Sequence, residues 1–301
     1  MALAAGYLGP CRDILGHEGV GRVAQIGEGL DPSTIKVGDR VGIAWVRDVC
    51  GRCSCCLEPG GEVRCLEQQN SGRKWDGTFA EYCLVPGRYV LDIPEDPALP
   101  DELVAPILCG GVTAYKALKA CEATPGSWVA IVGAGGGVGG LGIQYAKAMG
   151  YRVAAIDVGA AKEACLAMGA DAYFDGSSPD TPAEFKKLTP NEDGAKAVMV
   201  TAGSGRAYQS ALDLVAAFGT LVCVGIPPPD QAMNLHPLTL IDRGIKLLGT
   251  LVGTRTETME ALEFVRRGVV KPVVQSVSFD EMDDLGKRFA TVSVEPPLLH
   301  C

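Results

Sequence analysis

Residues 129–157 read VAIVGAGGGVGGLGIQYAKAMGYRVAAID, and the other segments of the chain take their meaning from this one. Trp128–Val132 is a short apolar run rich in β-branched residues, and it leads directly into a glycine cluster. A helix-like segment follows over Leu141–Met149, then a second apolar run, Arg152–Ile156, that ends on Asp157. Each part has a use in a βαβ unit that binds a dinucleotide. Gly133, Gly135, Gly136, Gly137 and Gly139, with Val138 among them, let the chain turn sharply and bring backbone N–H groups against a pyrophosphate. The helix start points the positive end of its dipole at that anion. An acid closing the second strand binds the ribose hydroxyls. The plainer alternative is a glycine turn that is only tightly packed, with Asp157 capping the next segment. The strand–turn–helix–strand order and the place of the acid favour the nucleotide.

Downstream of Cys109, helical patterns alternate with apolar runs. A helix is expected over Thr113–Ala120, strands over 128–132, 152–156, 172–174, 197–201, 220–224 and 246–251, and helices over Ala160–Met168 and Arg206–Ala217. Six strands with crossovers predict an α/β chain with a Rossmann-type, doubly wound parallel sheet. Thr256–Arg267 has the spacing of an amphipathic helix. Upstream, Gly19–Val41 alternates short apolar runs with turn signals, and strand-like pieces recur at Phe79–Val85 and Tyr89–Ile93. That pattern fits a small β-rich domain, closed by a Pro/Asp/Glu-rich hinge over Pro94–Pro106.

A net charge of −9 with no basic block argues against nucleic acid or an anionic membrane as a partner. The first ten residues, MALAAGYLGP, lack the charged start and long apolar core of a signal peptide. The uncharged run Ala123–Ala146 has the length of a membrane span, but it contains the glycine turn, which accounts for it. Five of the twelve cysteines crowd into Cys50–Cys65, a use of cysteine that points to metal binding in a reducing compartment, the cytosol.

Within that lobe, Cys50, Cys53 and Cys56 are spaced three apart, and Cys65 follows after eight intervening residues. Four thiolates on tight turns satisfy the tetrahedral preference of Zn²⁺ and leave no open position, so the site is structural. Cys55 is spare. An iron–sulfur cluster is the nearest competitor, disfavoured by the lack of a Cys-Pro after the last ligand; disulfides or inert thiols also compete with zinc at this spacing.

Gly16-His17-Glu18-Gly19, the cysteine lobe, Ala105-Pro106-Ile107-Leu108-Cys109-Gly110, the glycine turn and Asp157 occur in one order. Together they resemble the zinc-dependent medium-chain alcohol dehydrogenases, the yeast and fungal type in particular, from about Leu15 to Asp284. The resemblance implies a GroES-like catalytic domain with the zinc lobe over 1–108, an NAD-binding domain over 109–252, and a segment 253–301 returning to the catalytic domain. It implies hydride exchange between NAD and a small alcohol or aldehyde at a catalytic zinc. His17 and Cys109 fall on two ligand positions of that zinc, Glu18 on the acid beside it, and Trp45 on a wall of the substrate pocket. Lys162, Val224, Thr250 and Val252 fall on cofactor positions, and a homodimer or homotetramer is implied. Alone, His17 reads as a turn residue, Cys109 as a small buried hydrophobe and Trp45 as core. NAD is favoured over NADP, because Asp157 repels a 2′-phosphate and Val158-Gly159 supplies no arginine to receive one.

The sequence also departs from the family. The first catalytic ligand belongs to a Cys-His-x-Asp type segment upstream of the Gly-His-Glu motif, which is not found here; Cys11, six residues before His17, is a poor surrogate. Phe289–Cys301 does not match the family's closing strand. A two-ligand catalytic site is therefore expected. The rival readings are a non-catalytic, truncated NAD- and zinc-binding protein, and a zinc-free quinone or enoyl reductase on the same fold. The second has no use for the cysteine lobe, His17-Glu18 or Cys109.

Overall fold

The computed structural model describes residues 8–31, 33–282, 284, 285, 299 and 300; the divergent terminal stretch 289–298 lies outside them. The chain forms two compact units, Met1–Val112 with Leu251–Gly268 and His300–Cys301, and Thr113–Thr250 with Val269–Leu299. The domain boundaries expected from the sequence lie at 108 and 252; the compact units group Val269–Leu299 with the second unit.

In the first unit, β1 (Gly19–Arg22), β2 (Arg40–Ile43) and β5 (Leu91–Asp92) make an antiparallel sheet in the order β1-β2-β5. β3 (Val46–Asp48) pairs antiparallel with β4 (Gln69–Asn70), and the short helix α1 (Ser54–Leu57) lies in the cysteine lobe between them. Residues 79–85, expected as a strand, are irregular, with Phe79, Tyr82 and Leu84 exposed. Buried Arg40 ties β2 to the hinge: it donates to the carbonyls of Pro94 and Leu99 at 2.8 Å each and pairs with Asp101, the first residue of α2 (Asp101–Val104). The hinge therefore has fixed partners. α3 (Gly110–Ala120) starts three residues ahead of the expected helix, directly after Cys109.

The second unit is built on a six-stranded parallel sheet in the order β11-β10-β9-β6-β7-β8. These strands are β6 (Trp128–Val132), β7 (Arg152–Asp157), β8 (Ala172–Asp175), β9 (Ala195–Val200), β10 (Val215–Cys223) and β11 (Lys246–Gly249). All five residues of β6 are buried, as both-face coverage by helices requires, which is why WVAIV reads as a continuous apolar run rather than an alternation. Helix α4 (Gly137–Ala148) joins β6 to β7, and α5 (Lys162–Ala167), α6 (Thr181–Lys186), α7 (Gly205–Ala211) and α8 (Pro237–Arg243) make the later connections. Trp128 caps the core beside Phe185, with ring centroids 5.9 Å apart, and its indole N–H donates to the Leu188 carbonyl at 3.0 Å.

The expected helix Arg206–Ala217 ends early. α7 stops at Ala211, one 3₁₀ turn covers Leu212–Leu214, and β10 begins at Val215. Short apolar runs carry no period that separates a buried helix from a buried strand, and here Leu214 and Val215 are both core. β10 pairs with β9 at Val215 and again from Thr220, and Phe218 between them adopts a φ of +56°. His236, which the sequence suggests is a surface loop residue, is the N-cap of α8; its Nδ1 accepts from the Leu238 N–H at 3.2 Å.

Helix α9 (Arg255–Arg266) returns to the first unit. Thr254 and Glu257 form a reciprocal capping box, with hydrogen bonds of 3.1 and 2.8 Å. Thr254→Ala is expected to cost about 1 kcal/mol, read as a lower denaturation midpoint in urea at unchanged slope.

Candidate functional site

The residues leading to His17 are held by backbone. Gly16 has φ +95°, and a Cβ there would sit 2.7 Å from Thr78 Oγ1 and 2.9 Å from Phe79 N. The irregular loop beyond Asp76 approaches as a ladder: Gly77 N donates to Ile14 O at 2.7 Å, Phe79 N to Leu15 O at 3.0 Å and Thr78 N to Gly16 O at 3.1 Å. Gly77 lies so close to Leu15 and Gly16 that any side chain would overlap their carbonyl oxygens. Sequence reasoning misses this cradle and takes Phe79 for the start of a strand; the Gly77-Thr78 pair ahead of Phe79 is the available signal.

His17 and Cys109, ninety-two residues apart, come together with Nε2 and Sγ at 3.3 Å. Two ligands of a tetrahedral zinc with ordinary Zn–N and Zn–S bonds stand about 3.5 Å apart, so the spacing fits a shared ion. Burial pushes His17 down to about 4, raises Glu18 to about 7 against the opposing Gly110 N–H, and raises Cys109, whose thiolate Glu18 also disfavours. Burial thus disfavours the charged form of each group. A dication would reverse that balance for Cys109 while accepting His17 as the neutral ring, so the donor chemistry fits the metal. Trp45, 8% exposed, meets the His17 ring edge-on at a centroid distance of 5.2 Å.

Glu18 lies beside this pair, close enough for its charge to act on Cys109. Its Oε1 accepts from the Gly110 N–H at 3.2 Å, at the start of α3. Among the described residues no third histidine, cysteine or acid joins His17 and Cys109 in a closed ligand group, and Cys11 is exposed.

The cysteine lobe is complete. The Sγ atoms of Cys50, Cys53, Cys56 and Cys65 lie within 4.8 Å of one another, with Cys50–Cys56 at 4.0 Å and Cys53–Cys65 at 3.9 Å. Zn–S bonds of about 2.3 Å in a tetrahedron place sulfurs about 3.8 Å apart, so the four thiols fit zinc as they stand. Backbone N–H groups of Cys50 and Glu67 point at Cys65 Sγ, and those of Arg52 and Cys53 at Cys50 Sγ, at 3.3–3.5 Å. Backbone donors of this kind draw Cys53 down to about 6. Cys55 stays outside the group.

In the second unit the glycine turn has the form its sequence predicts. Gly133 has φ +84°, and a Cβ there would reach Ala202 N at 2.6 Å; a Cβ at Gly139 would overlap the Gly133 carbonyl. α4 starts from Gly136 with no side-chain cap, which leaves the N–H groups of Gly137, Val138 and Gly139 at a helix end suited to an anion. Asp157 closes β7, with Oδ2 accepting from Gly135 N at 2.6 Å and Oδ1 from Val158 N at 2.7 Å. Lys162 is exposed at the start of α5. Val224 follows β10 and donates its N–H to Val200 O at 3.2 Å. Thr250 Oγ1 is buried with no hydrogen-bond partner, as expected of a polar atom awaiting a ligand. In the first unit Val252 packs with Trp45, Val46, Val63 and Tyr89 and holds a φ of +29°, an unusual conformation for a β-branched residue.

Residues 3–95 match the alcohol dehydrogenase GroES-like domain family, and residues 137–267 match the zinc-binding dehydrogenase family. The chain is 40% identical over 283 residues to alcohol dehydrogenase 2 of Emericella nidulans, covering 91% of this chain and 76% of that one. It is 42% identical over 276 residues to an alcohol dehydrogenase of Geobacillus stearothermophilus, covering 91% and 78%. Among solved structures, the alcohol dehydrogenase of Aeropyrum pernix superposes with a TM-score of 0.79 at 30% identity, over 92% of this chain and 79% of that one. Acetophenone reductase of Geotrichum candidum, in complex with NAD, superposes with a TM-score of 0.82 at 25% identity, over 97% and 82%. Order of motifs, paired zinc-type ligands and these likenesses agree: the chain belongs to the zinc-dependent, medium-chain alcohol dehydrogenase family.

Proposed function

We propose that this alcohol dehydrogenase interconverts primary or secondary alcohols and their aldehydes or ketones with NAD, with His17 and Cys109 as two ligands of its catalytic zinc. The observation that carries the reading is the 3.3 Å His17–Cys109 pair, assembled across 92 residues in a half-buried setting. Zinc bound there supplies Lewis acidity to an alcohol or carbonyl oxygen. The chain's own residues do the rest. Trp45 walls the substrate side and keeps water from the pair. Glu18, anchored on Gly110, sets the local charge beside it. The first turn of α4 receives the pyrophosphate, and Asp157 takes the ribose hydroxyls. Lys162, Val224, Thr250 and Val252 complete the cofactor contacts, and the orphaned Thr250 hydroxyl supports that assignment.

The cytosol is the proposed compartment, supported by eleven free cysteines among the described residues. Self-association is proposed through β11. This strand lies at one edge of the six-stranded sheet, with Leu247 43% exposed, and an open edge invites a second copy.

The test follows NADH formation by its absorbance with ethanol and longer primary alcohols, with and without added Zn²⁺. Zinc-dependent turnover that disappears in His17→Ala is expected. NADH and zinc binding without turnover would favour the non-catalytic alternative. Trp45→Ala is expected to shift the preference between a branched and a linear alcohol about tenfold toward the branched one in kcat/KM, the order of effect that one enlarged apolar wall produces.

A further inference from the structure

Arg47 has no part in the site described above, yet it is the most deeply buried cation near it. It is the middle residue of β3, two residues after Trp45, and is 4% exposed. Burying a guanidinium is costly unless its donors are used, and here Nε is buried without a partner, so the two Nη groups carry its hydrogen bonds. Nη1 donates to the Asp76 carbonyl at 2.8 Å, and Nη2 donates to the Leu84 carbonyl. These acceptors are the two ends of the irregular loop whose Gly77, Thr78 and Phe79 N–H groups hold Ile14, Leu15 and Gly16, directly ahead of His17.

Apart from that ladder, few contacts among the described residues fix the loop. It contains no helix or strand, and its largest apolar side chains face water: Phe79 is 50%, Tyr82 79% and Leu84 88% exposed. Its own closing contact is a weak one, Cys83 Sγ to the Asp76 carbonyl at 3.8 Å. Arg12 also reaches Asp76, at 3.0 Å, but both partners are about half exposed, which makes that pair a minor constraint.

We propose that Arg47 is a positioning residue for the catalytic metal: by bridging the ends of the 76–84 loop it fixes the backbone ladder that sets His17 against Cys109. The segment Trp45–Arg47 thus holds His17 twice, its ring through Trp45 and its backbone through Arg47 and the loop. Bridging two carbonyls requires the forked guanidinium; an ammonium reaches one of them. The proposal rests on His17 and Cys109 being metal ligands.

The test uses protein whose four-cysteine site already holds zinc. Co²⁺ is titrated in, and the cobalt–thiolate absorption from Cys109 reports uptake at the His17–Cys109 pair. Amide hydrogen exchange is read at residues 77–79 of the same samples. Arg47→Met is expected to weaken cobalt uptake at least about tenfold, the scale for removing support behind a ligand, and to raise exchange at 77–79 by at least about tenfold. Zinc in the cysteine lobe should stay at one per chain. Arg47→Lys should recover part of both losses. Arg88→Met, which removes an exposed guanidinium paired with Asp48, should change neither. Unchanged exchange, or faster exchange with wild-type cobalt affinity, would overturn the proposal. Should Arg47→Met fail to fold, Arg47→Lys alone gives the same two readouts. Wild-type protein that takes up no cobalt at the pair would overturn the ligand reading itself, while the exchange data still decide whether Arg47 fixes the loop.

Discussion

Cys65→Ala is expected to remove one zinc per chain and to lower the thermal midpoint by about 10 °C. The lobe from Cys50 to Cys65 has almost no apolar interior of its own. Its regular structure is one four-residue helix and one 3₁₀ turn, and within it only Val63 and Cys65 are buried. Val63 reaches out of the lobe into the cluster of Trp45, Val46, Tyr89 and Val252. Metal binding stands in for the missing core, and structural zinc is worth about 10–16 kcal/mol in isolated zinc-finger peptides. The surrounding unit retains part of the lobe's contacts without metal, so the net loss is placed at about 4 kcal/mol, and about 2–4 °C per kcal/mol gives the shift. Zinc content by atomic emission and the midpoint by circular dichroism check it. Cys55→Ser is the control, because Cys55 lies outside the four-thiol group. A variant that keeps its zinc, or loses it with an unchanged midpoint, would show that the lobe is held by protein contacts alone.

What the sequence reveals about this molecule follows the range of the interactions involved. The glycine turn, Asp157 and the cysteine lobe are legible because each is built from residues close in sequence and demands particular residue types. The six parallel strands are legible for a related reason, since burial on both faces produces apolar runs that stand out. All six appear within a few residues of their expected positions, apart from β10, which starts five residues early.

Residues 79–85 show the opposite case. Their composition suits a strand, but the backbone N–H groups at Gly77, Thr78 and Phe79 go to Ile14, Gly16 and Leu15, a pairing no local pattern announces. Arg47 is hidden for the same reason: a single arginine after two apolar residues gives no sign that carbonyls at 76 and 84 will receive it. Glu18 reads as a metal neighbour in the sequence, and its position at the Gly110 amide depends on where α3 begins. The His17–Cys109 contact is readable only through resemblance, because ninety-two residues separate the partners.

Asp157→Ala is expected to weaken NADH binding about 30-fold and to abolish the preference for NADH over NADPH. The carboxylate serves two ends. Its oxygens accept from Gly135 N and Val158 N at 2.6 and 2.7 Å, which fixes the tip of β7 against the glycine turn. In the proposed cofactor site they would also take the ribose hydroxyls, because a carboxylate attracts hydroxyl donors and repels a 2′-phosphate. Losing charge-assisted hydrogen bonds to the ribose is worth about 2 kcal/mol, which is about 30-fold in Kd. Removing the negative charge also lifts the penalty against the phosphate, so the two cofactors should converge. Asp157→Asn separates the two roles. Its amide oxygen still accepts from Gly135 and keeps the turn intact, so NADH should bind between wild type and Asp157→Ala, while the charge-based discrimination is lost in full. Fluorescence titration with both reduced cofactors reads each constant directly. If the NADH preference survives in Asp157→Ala, the carboxylate is not what discriminates between the two cofactors.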